Sequence, residues 1–308
     1  ERLSSALNEN RTTLVTRHAS SFESQKALVA PSIETISFGL DTISTSPDII
    51  FVSTQVDDFE RTISNIRSAI KGDKTKKIVL FQNGIDPEEK IREAFPHNPI
   101  ARVIISVQVK YGKEKTPERE VTIQESIEQE EFGQSTHNFK NKPILIPKEI
   151  SWEFGVVQEG KESVSGTLKT YLTYLSSFLN ESAGFKGCEV VDNIEIKQWI
   201  KYFKNMGNIG SLSIALRESI VDKKVTYGDV LEDKDALNVT DLLTEESYAI
   251  AVSHLGDRAD NLPDLEEIKR SVRTYIQTDH VSTTLENYSE LKPIENILIE
   301  PLILAKRY

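Results

Sequence analysis

The sequence is short of the residues that build disulfides, metal clusters and phosphate-cradling turns. Its 308 residues hold one cysteine, Cys188, which excludes an internal disulfide and a cysteine-built zinc site. Such usage fits a reducing compartment. The five histidines, His18, His97, His137, His254 and His280, are scattered without ligand spacing. Each reads as a surface or satisfied core histidine, and no metal is expected. No apolar run approaches the ~20 residues needed to cross a bilayer, so membrane insertion is not expected. Basic clusters that track phosphates are missing too, and the net charge is −11. That balance argues against nucleic acid and anionic membrane surfaces as partners. No GxGxxG, nor even a GxG, occurs anywhere in the chain.

What is present points to a globular protein of two domains. The hydrophobic content is 38%, the charge is mixed, and the length suffices for two cores. The segment Asp48–Ala94 reads as strand, helix, strand, turn, helix. Ile49–Val52 and Lys77–Phe81 are apolar runs too short for helices. Between them Phe59, Ile63, Ile66 and Ile70 recur at helical spacing within Asp58–Ile70. A turn, Gln82-Asn83-Gly84, follows, and Asp86-Pro87-Glu88 opens the next helix. Short apolar strands alternating with amphipathic helices predict a doubly wound parallel sheet covered by helices, Rossmann-like in class. Ligands of such sheets bind at the carboxyl ends of the strands, where Ser53–Gln55 and Asn83-Gly84 lie.

Further along, Ala101–Val109 reads as a strand. The charged stretch Lys110–Lys142 reads as an edge hairpin or a loop, with little to bury. Pro143–Ile146 and Trp152–Val157 read as strands closing the sheet. A helix carries Leu168, Leu172, Leu175 and Leu179 on one face, ending near Gly184, and Gly187–Val191 is a last short strand. Strand signals then stop. Ile194–Ile220, Leu242–Leu255, Asp264–Gln277 and Pro293–Arg307 read as helices. The shift predicts a sheet domain over residues 1–192 and an all-helical domain over 193–308. The first residues, "ERLSSALNENRTTLVTR", read as the latter part of a helix followed by a strand, Thr13–Thr16. In a doubly wound fold that helix follows a first strand and a glycine-rich turn. Roughly twenty residues are therefore expected upstream, since a whole βαβ unit needs ~30. Any targeting peptide would lie there, which leaves a cytoplasmic and a mitochondrial-matrix location both open.

The helix after the domain boundary, "DNIEIKQWIKYFKNMGNIGSLSIAL", holds the first candidate chemistry. Trp199, Phe203, Met206 and Gly210 follow helical spacing and should pack. Lys201, Asn205 and Asn208 form a separate stripe at i, i+4 and i+7. That stripe is either a solvated face or a row of donors toward an interdomain cleft. There a lysine could protonate a carbonyl oxygen and amides could hold a carboxylate.

Two of these stretches, "LFQNGIDPEEKIREAFP" and "NIEIKQWIKYFKNMGNI", together with the order of elements, resemble the ketopantoate reductase family. The resemblance implies that the Trp-x-Lys followed by Asn falls on Trp199, Lys201 and Asn205, with Lys201 the general acid. A second family asparagine falls on Ile209, one place from Asn208. Near the C-terminus, "HVSTTLENYSELKPIENILIEPLILAKRY" is similar to a substrate-binding serine segment followed by a glutamate at the last helix. The serine falls on Thr283, the glutamate on Glu295, and an aspartate between them becomes Asn287. Read without the resemblance, Glu295 is a helix N-terminal acid favoured by the dipole. The resemblance implies substrate contacts at Asn83, Asn205, Asn208, Thr283 and Glu295. It implies cofactor contacts at Arg17, Gln55, Asn83 and Gly84, with Arg17 at the strand end favouring the 2′-phosphate of NADPH. Where the family carries a lysine this chain has Gln55. Where it carries Thr-Thr-His the chain has Val107-Gln108-Val109.

The implied activity is NADPH-dependent reduction of a small 2-oxo acid, 2-dehydropantoate to pantoate, a step of pantothenate biosynthesis. The alternatives are a non-catalytic relative that kept the fold for binding or assembly, and a related dehydrogenase with another substrate. A homodimer is left open.

Overall fold

A computed structural model of the chain describes residues 12–15, 33–36, 48–53, 59–81, 84–105, 110–111, 132–139, 142–147, 152–158, 165–182, 186–218, 225–276 and 305–306. The chain forms two compact units: Glu1–Phe81 with Ala94–Asp192, and Gln82–Glu93 with Asn193–Tyr308.

The first unit carries the strands. In chain order they are β1 (Thr12–Val15), β2 (Ile33–Ile36), β3 (Ile49–Val52), β4 (Lys77–Leu80), β5 (Ile100–Ile105), β6 (Lys110–Tyr111), β7 (Phe132–Phe139), β8 (Lys142–Pro147), β9 (Trp152–Gln158) and β10 (Glu189–Val190). β1 and β2 pair in parallel. The main sheet has the order β10-β9-β5-β4-β3. Its β3, β4 and β5 are parallel, β9 is antiparallel to β5, and β10 is parallel to β9. The sheet is therefore mixed where spacing predicted a parallel one. Parallel and antiparallel strands share one period of two, so sequence pattern does not separate them.

Both faces of this sheet are covered, which is why its strands read as unbroken apolar runs. Ile78, Val79 and Leu80 are all 0% exposed. Helix α1 (Phe59–Ile70) buries Phe59, Ile63, Ile66 and Ile70, the residues at helical spacing. It ends in a turn with Lys71 at φ 49° and Gly72 at φ 79°. Asp73 then accepts from the Thr75 amide at 2.9 Å and the Thr75 hydroxyl at 2.6 Å. Helix α2 (Asp86–Ala94) follows β4. Helix α3 (Ser165–Ser182) places Leu168, Leu172, Leu175 and Leu179 in one core with Val79, Ala101, Val103 and Phe154. Near its end Asn180 pairs with the Cys188 peptide in both directions, at 2.8 Å and 3.0 Å. Burial raises the Cys188 thiol pKa, as befits a packed cysteine.

The charged stretch after β5 supplies strands rather than a loop. β8 pairs antiparallel with β6 and β7 in a separate three-stranded sheet. Pro143–Ile146 lies in that small sheet and does not close the main one, which β9 and β10 complete. The paired strand β7 supplies backbone partners for β8 that the main sheet does not.

The second unit is helical among its described residues. It has α4 (Ile194–Lys204), α5 (Met206–Glu218), α6 (Tyr227–Glu232), α7 (Lys234–Leu255), a 3-10 turn (Gly256–Asn261) and α8 (Leu265–Tyr275). Trp199, Tyr202, Phe203, Met206, Ala251, Leu255, Ile268 and Val272 form its main core, joined by Ile85. Caps set the helix starts. Thr226 and Asp229 form a capping box at α6, Asp233 accepts from the Asp235 and Ala236 amides at α7, and Asp264 accepts from Glu267 at α8.

The helix expected over Ile194–Ile220 is broken at Asn205 into α4 and α5. The Asn205 amide donates to the Tyr202 carbonyl, and the Asn208 amide to the Asn205 carbonyl, both at 3.0 Å. Those tight i→i+3 bonds redirect the chain. Gly210 then lies so close to its neighbours that a Cβ there would sit 2.5 Å from Thr240 Oγ1 and 2.6 Å from Val230 Cγ1. The sheet unit is thus Rossmann-like α/β, and the described elements of the other unit are helices. Among the described residues no helix is long and apolar enough to cross a membrane.

Candidate active site

The chain leaves β4 at Leu80 and reaches Gly84, whose φ of 95° lies in the region glycine adopts without strain. The Gly84 carbonyl accepts a hydrogen bond from Gln198 Nε2 of α4. Ile85, next in the chain, enters the core beside Trp199. Helix α2 is then fastened by charge. Arg92 Nη2 meets Glu195 Oε1 at 2.8 Å, and Arg258 pairs with the other oxygen of Glu195. Arg92 also lies 3.5 Å from Glu88 and 3.4 Å from Glu89.

Behind this bridge Trp199 Nε1 donates to His254 Nδ1 at 3.2 Å, and His254 Nε2 lies 3.6 Å from Glu89. The indole bond places the proton of a neutral His254 on Nε2, toward Glu89. His254 is a satisfied core histidine, as its isolation in the sequence implied. Among the described residues no group of three His, Cys, Asp or Glu side chains could hold a metal.

Lys201 lies one turn beyond Gln198 on α4, and Asn205 ends that helix. Both are partly buried. Lys201 and Lys204 occupy the last turn, where a cation also suits the helix dipole. Asn208 departs from the stripe drawn through it. It is 7% exposed, and its Oδ1 accepts from the Tyr227 hydroxyl, which ties α5 to α6. The break at Asn205 rotates it away from the register of α4. Arg17, Gln55, Asn83, Thr283 and Glu295 lie outside the described residues, as do Val107–Val109.

The sheet unit, taken by itself, carries an aromatic row from Phe51 of β3 and Phe81 after β4 to Trp152 and Phe154 in the first half of the antiparallel β9. Ring centroids are 5.7 Å apart for Phe51 and Phe81, 5.3 Å for Phe81 and Trp152, and 6.1 Å for Trp152 and Phe154, each pair edge-on. Phe51 is 36% exposed there. Sequence reasoning missed this row because it arises from register: Phe51 stands opposite Val79, and Trp152 opposite Ile105. It missed Gln198 as well, although a glutamine between Lys197 and the buried Trp199 was a signal.

Residues 2–133 match the family model described as Ketopantoate reductase PanE/ApbA. Solved structures share the fold across the chain. One is 2-dehydropantoate 2-reductase from Methylococcus capsulatus, at a TM-score of 0.64 and 18% identity, covering 99% of this chain and 86% of that one. The ternary structure of D-mandelate dehydrogenase with NADH and anilino(oxo)acetate has a TM-score of 0.66 at 15% identity, covering 100% and 88%. A PanE/ApbA family ketopantoate reductase from Ralstonia eutropha JMP134 has 0.62 at 14%, covering 99% and 86%. No curated protein matches the chain in sequence. Over residues 2–133 the chain is thus similar to the ketopantoate reductase PanE/ApbA family, and it shares its fold with solved 2-dehydropantoate 2-reductases.

Proposed function

We propose that the protein is an NADPH-dependent reductase of a small 2-oxo acid, with 2-dehydropantoate the first candidate. The observation that carries this reading is the α4 segment from Gln198 to Asn205. It sets Lys201, partly buried, one turn from the amide that grips the Gly84 turn.

A reduced nicotinamide would supply the hydride when bound. Asn83 and Gly84, which follow the carboxyl end of β4 in the chain, are the residues that would meet that end of the cofactor. Lys201 would give its proton to the carbonyl oxygen as negative charge develops there. Asn83 and Asn205 would orient the oxo acid through their amides, and Thr283 and Glu295 would bind its polar groups. Asn208 is left out of this set because Tyr227 engages its carbonyl oxygen. Arg17 would select the 2′-phosphate, since a guanidinium offers a planar fork of donors to a dianion. Gln55 would lie beside the cofactor. The D-mandelate dehydrogenase structures contain NADH, which makes NADH the competing cofactor to test. A cytoplasmic enzyme acting on a diffusible substrate is the corresponding setting.

One observation favours a second reading, a non-catalytic relative. Gln55 and Val107–Val109 stand where the resemblance implies a lysine and Thr-Thr-His.

Titration with NADPH and NADH, followed by the fluorescence of Trp152 and Trp199, separates the two. Micromolar NADPH affinity with weaker NADH binding, and turnover of 2-dehydropantoate, are expected. Replacing Lys201 by alanine should then lower kcat about a hundredfold, the scale of a lost general acid. Absence of cofactor binding by the full-length protein would favour the non-catalytic relative.

A further inference from the structure

We propose that Gln198 is a positioning residue, the amide that holds the Gly84 turn in register with the helix that carries Lys201. The inference deepens the proposed reductase and rests on that reading for its kinetic consequence.

The argument starts from spacing. Glu195, Gln198 and Lys201 recur every three residues on α4, so they lie along one stripe, about one turn apart. Glu195 grips Arg92 in the last turn of α2, and Gln198 grips Gly84 just before α2 begins. Moving along the stripe toward the end of α4 therefore moves back along the chain, from α2 to the turn that precedes it. Lys201 is the next position in that direction.

Burial supports the same reading. Gln198 is 6% exposed, and it interrupts an otherwise apolar buried set of Ile194, Ile196, Trp199, Tyr202 and Phe203. A buried amide is tolerated where it makes its bonds, and its bond here goes to main chain. A bond to a carbonyl fixes the backbone irrespective of the side chains in the turn. Gly84, at φ 95°, is the kind of residue whose conformation has alternatives and gains from being held. Gln198 touches no reacting atom in this scheme. It acts by setting where the Gly84-Ile85 peptide stands, at the residue that follows Asn83, and small misplacements of such groups are costly to rate.

Two variants of the full-length protein test this. Gln198→Met keeps length and volume and removes the donor. Gln198→Glu donates only when its carboxyl is protonated. Hydrogen–deuterium exchange over residues 82–88 should be about tenfold faster in Gln198→Met than in wild type at every pH, with kcat/KM for the oxo acid lowered to a similar extent. Gln198→Glu should behave like Gln198→Met at about pH 8 and return toward wild type near pH 5, where a carboxyl raised by burial at this 6%-exposed position is protonated and can donate. A merely space-filling role predicts no such pH-dependent recovery. Exchange over residues 82–88 that is unchanged in both variants overturns the proposal. The exchange readout needs no substrate. If the pattern appears in a protein that turns over no oxo acid, the reductase reading fails and the holding role of Gln198 stands. If wild type turns over while exchange is insensitive to both variants, the opposite holds.

Discussion

At the scale of single residues, Trp199 shows how a packing side chain also fixes a polar one. Its ring stands 5.6 Å from Tyr202, 5.8 Å from Phe203 and 5.8 Å from His254. Its N–H meanwhile gives buried His254 a partner. Trp199→Phe keeps most of the apolar contact and removes that donor. The variant should lose about 1–3 kcal/mol of stability, the usual cost of leaving a buried polar atom without its bond. Urea unfolding measures it, and an unchanged midpoint would show that the indole bond contributes nothing. The same scale explains what the sequence could reveal. Trp199 was legible as a packing residue because residue type and spacing mark it. Gln198 was not, because its role depends on a carbonyl more than a hundred residues earlier, and no periodicity records such a pairing.

At the scale of elements, the close approach of α5 to α6 and α7 depends on a missing side chain. Gly210→Ala would drive a methyl group against Thr240 Oγ1 and Val230 Cγ1. Neither neighbour can swing aside, because both atoms are attached directly to Cβ. A destabilisation of about 1–3 kcal/mol is expected, the range for overpacking a well-filled contact. Differential scanning calorimetry would register it as a lower melting temperature. Elements with a simple rhythm were readable in advance. The Phe59, Ile63, Ile66, Ile70 face of α1 and the four leucines of α3 are buried as their spacing implied. The break at Asn205 was hidden because a single non-helical residue barely disturbs the apolar period. The second sheet was hidden for another reason. β7 reads FGQSTHNF, without an apolar alternation, and its strand pairs with β8. The short α6 was also unread, since its capping box precedes too few residues to establish a period.

Across the whole molecule, ionised side chains in both units tie stability to pH. Asp73, in the sheet unit, is held below its ordinary 3.8, first by the Thr75 hydroxyl and then by the Thr75 amide. Asp233, in the helical unit, is held below 3.8, first by its bond from Arg217 and then by the Ala236 amide. A carboxyl with a depressed folded-state pKa stabilises fully above its unfolded value and loses that contribution as pH falls through the folded one. Lys269 behaves oppositely. Its bond to Glu245 raises it above 10.5, so its contribution is present below that value and fades as pH rises through the folded-state pKa. Denaturant midpoints across pH should therefore be level near neutrality, fall below about pH 4 and fall again above about pH 10. In Asp233→Asn the acid-side fall should be shallower, and an unaltered acid limb would refute the assignment.

The excursion of residues 82–93 into the helical unit has a consequence for how the protein can be divided. The backbone crosses between the two units three times: after Phe81, after Glu93 and after Asp192. A cut at Asp192 alone would not yield two self-sufficient pieces. The C-terminal piece would lack Ile85, which fills the core around Trp199, and Arg92, which engages Glu195. The N-terminal piece would keep α2 with no surface to receive it. The two units are stitched rather than strung, and neither is a transplantable module in the form its borders suggest. The first stitch leads directly to Gly84, so whatever strains or steadies that glycine is felt where one unit's chain becomes the other's.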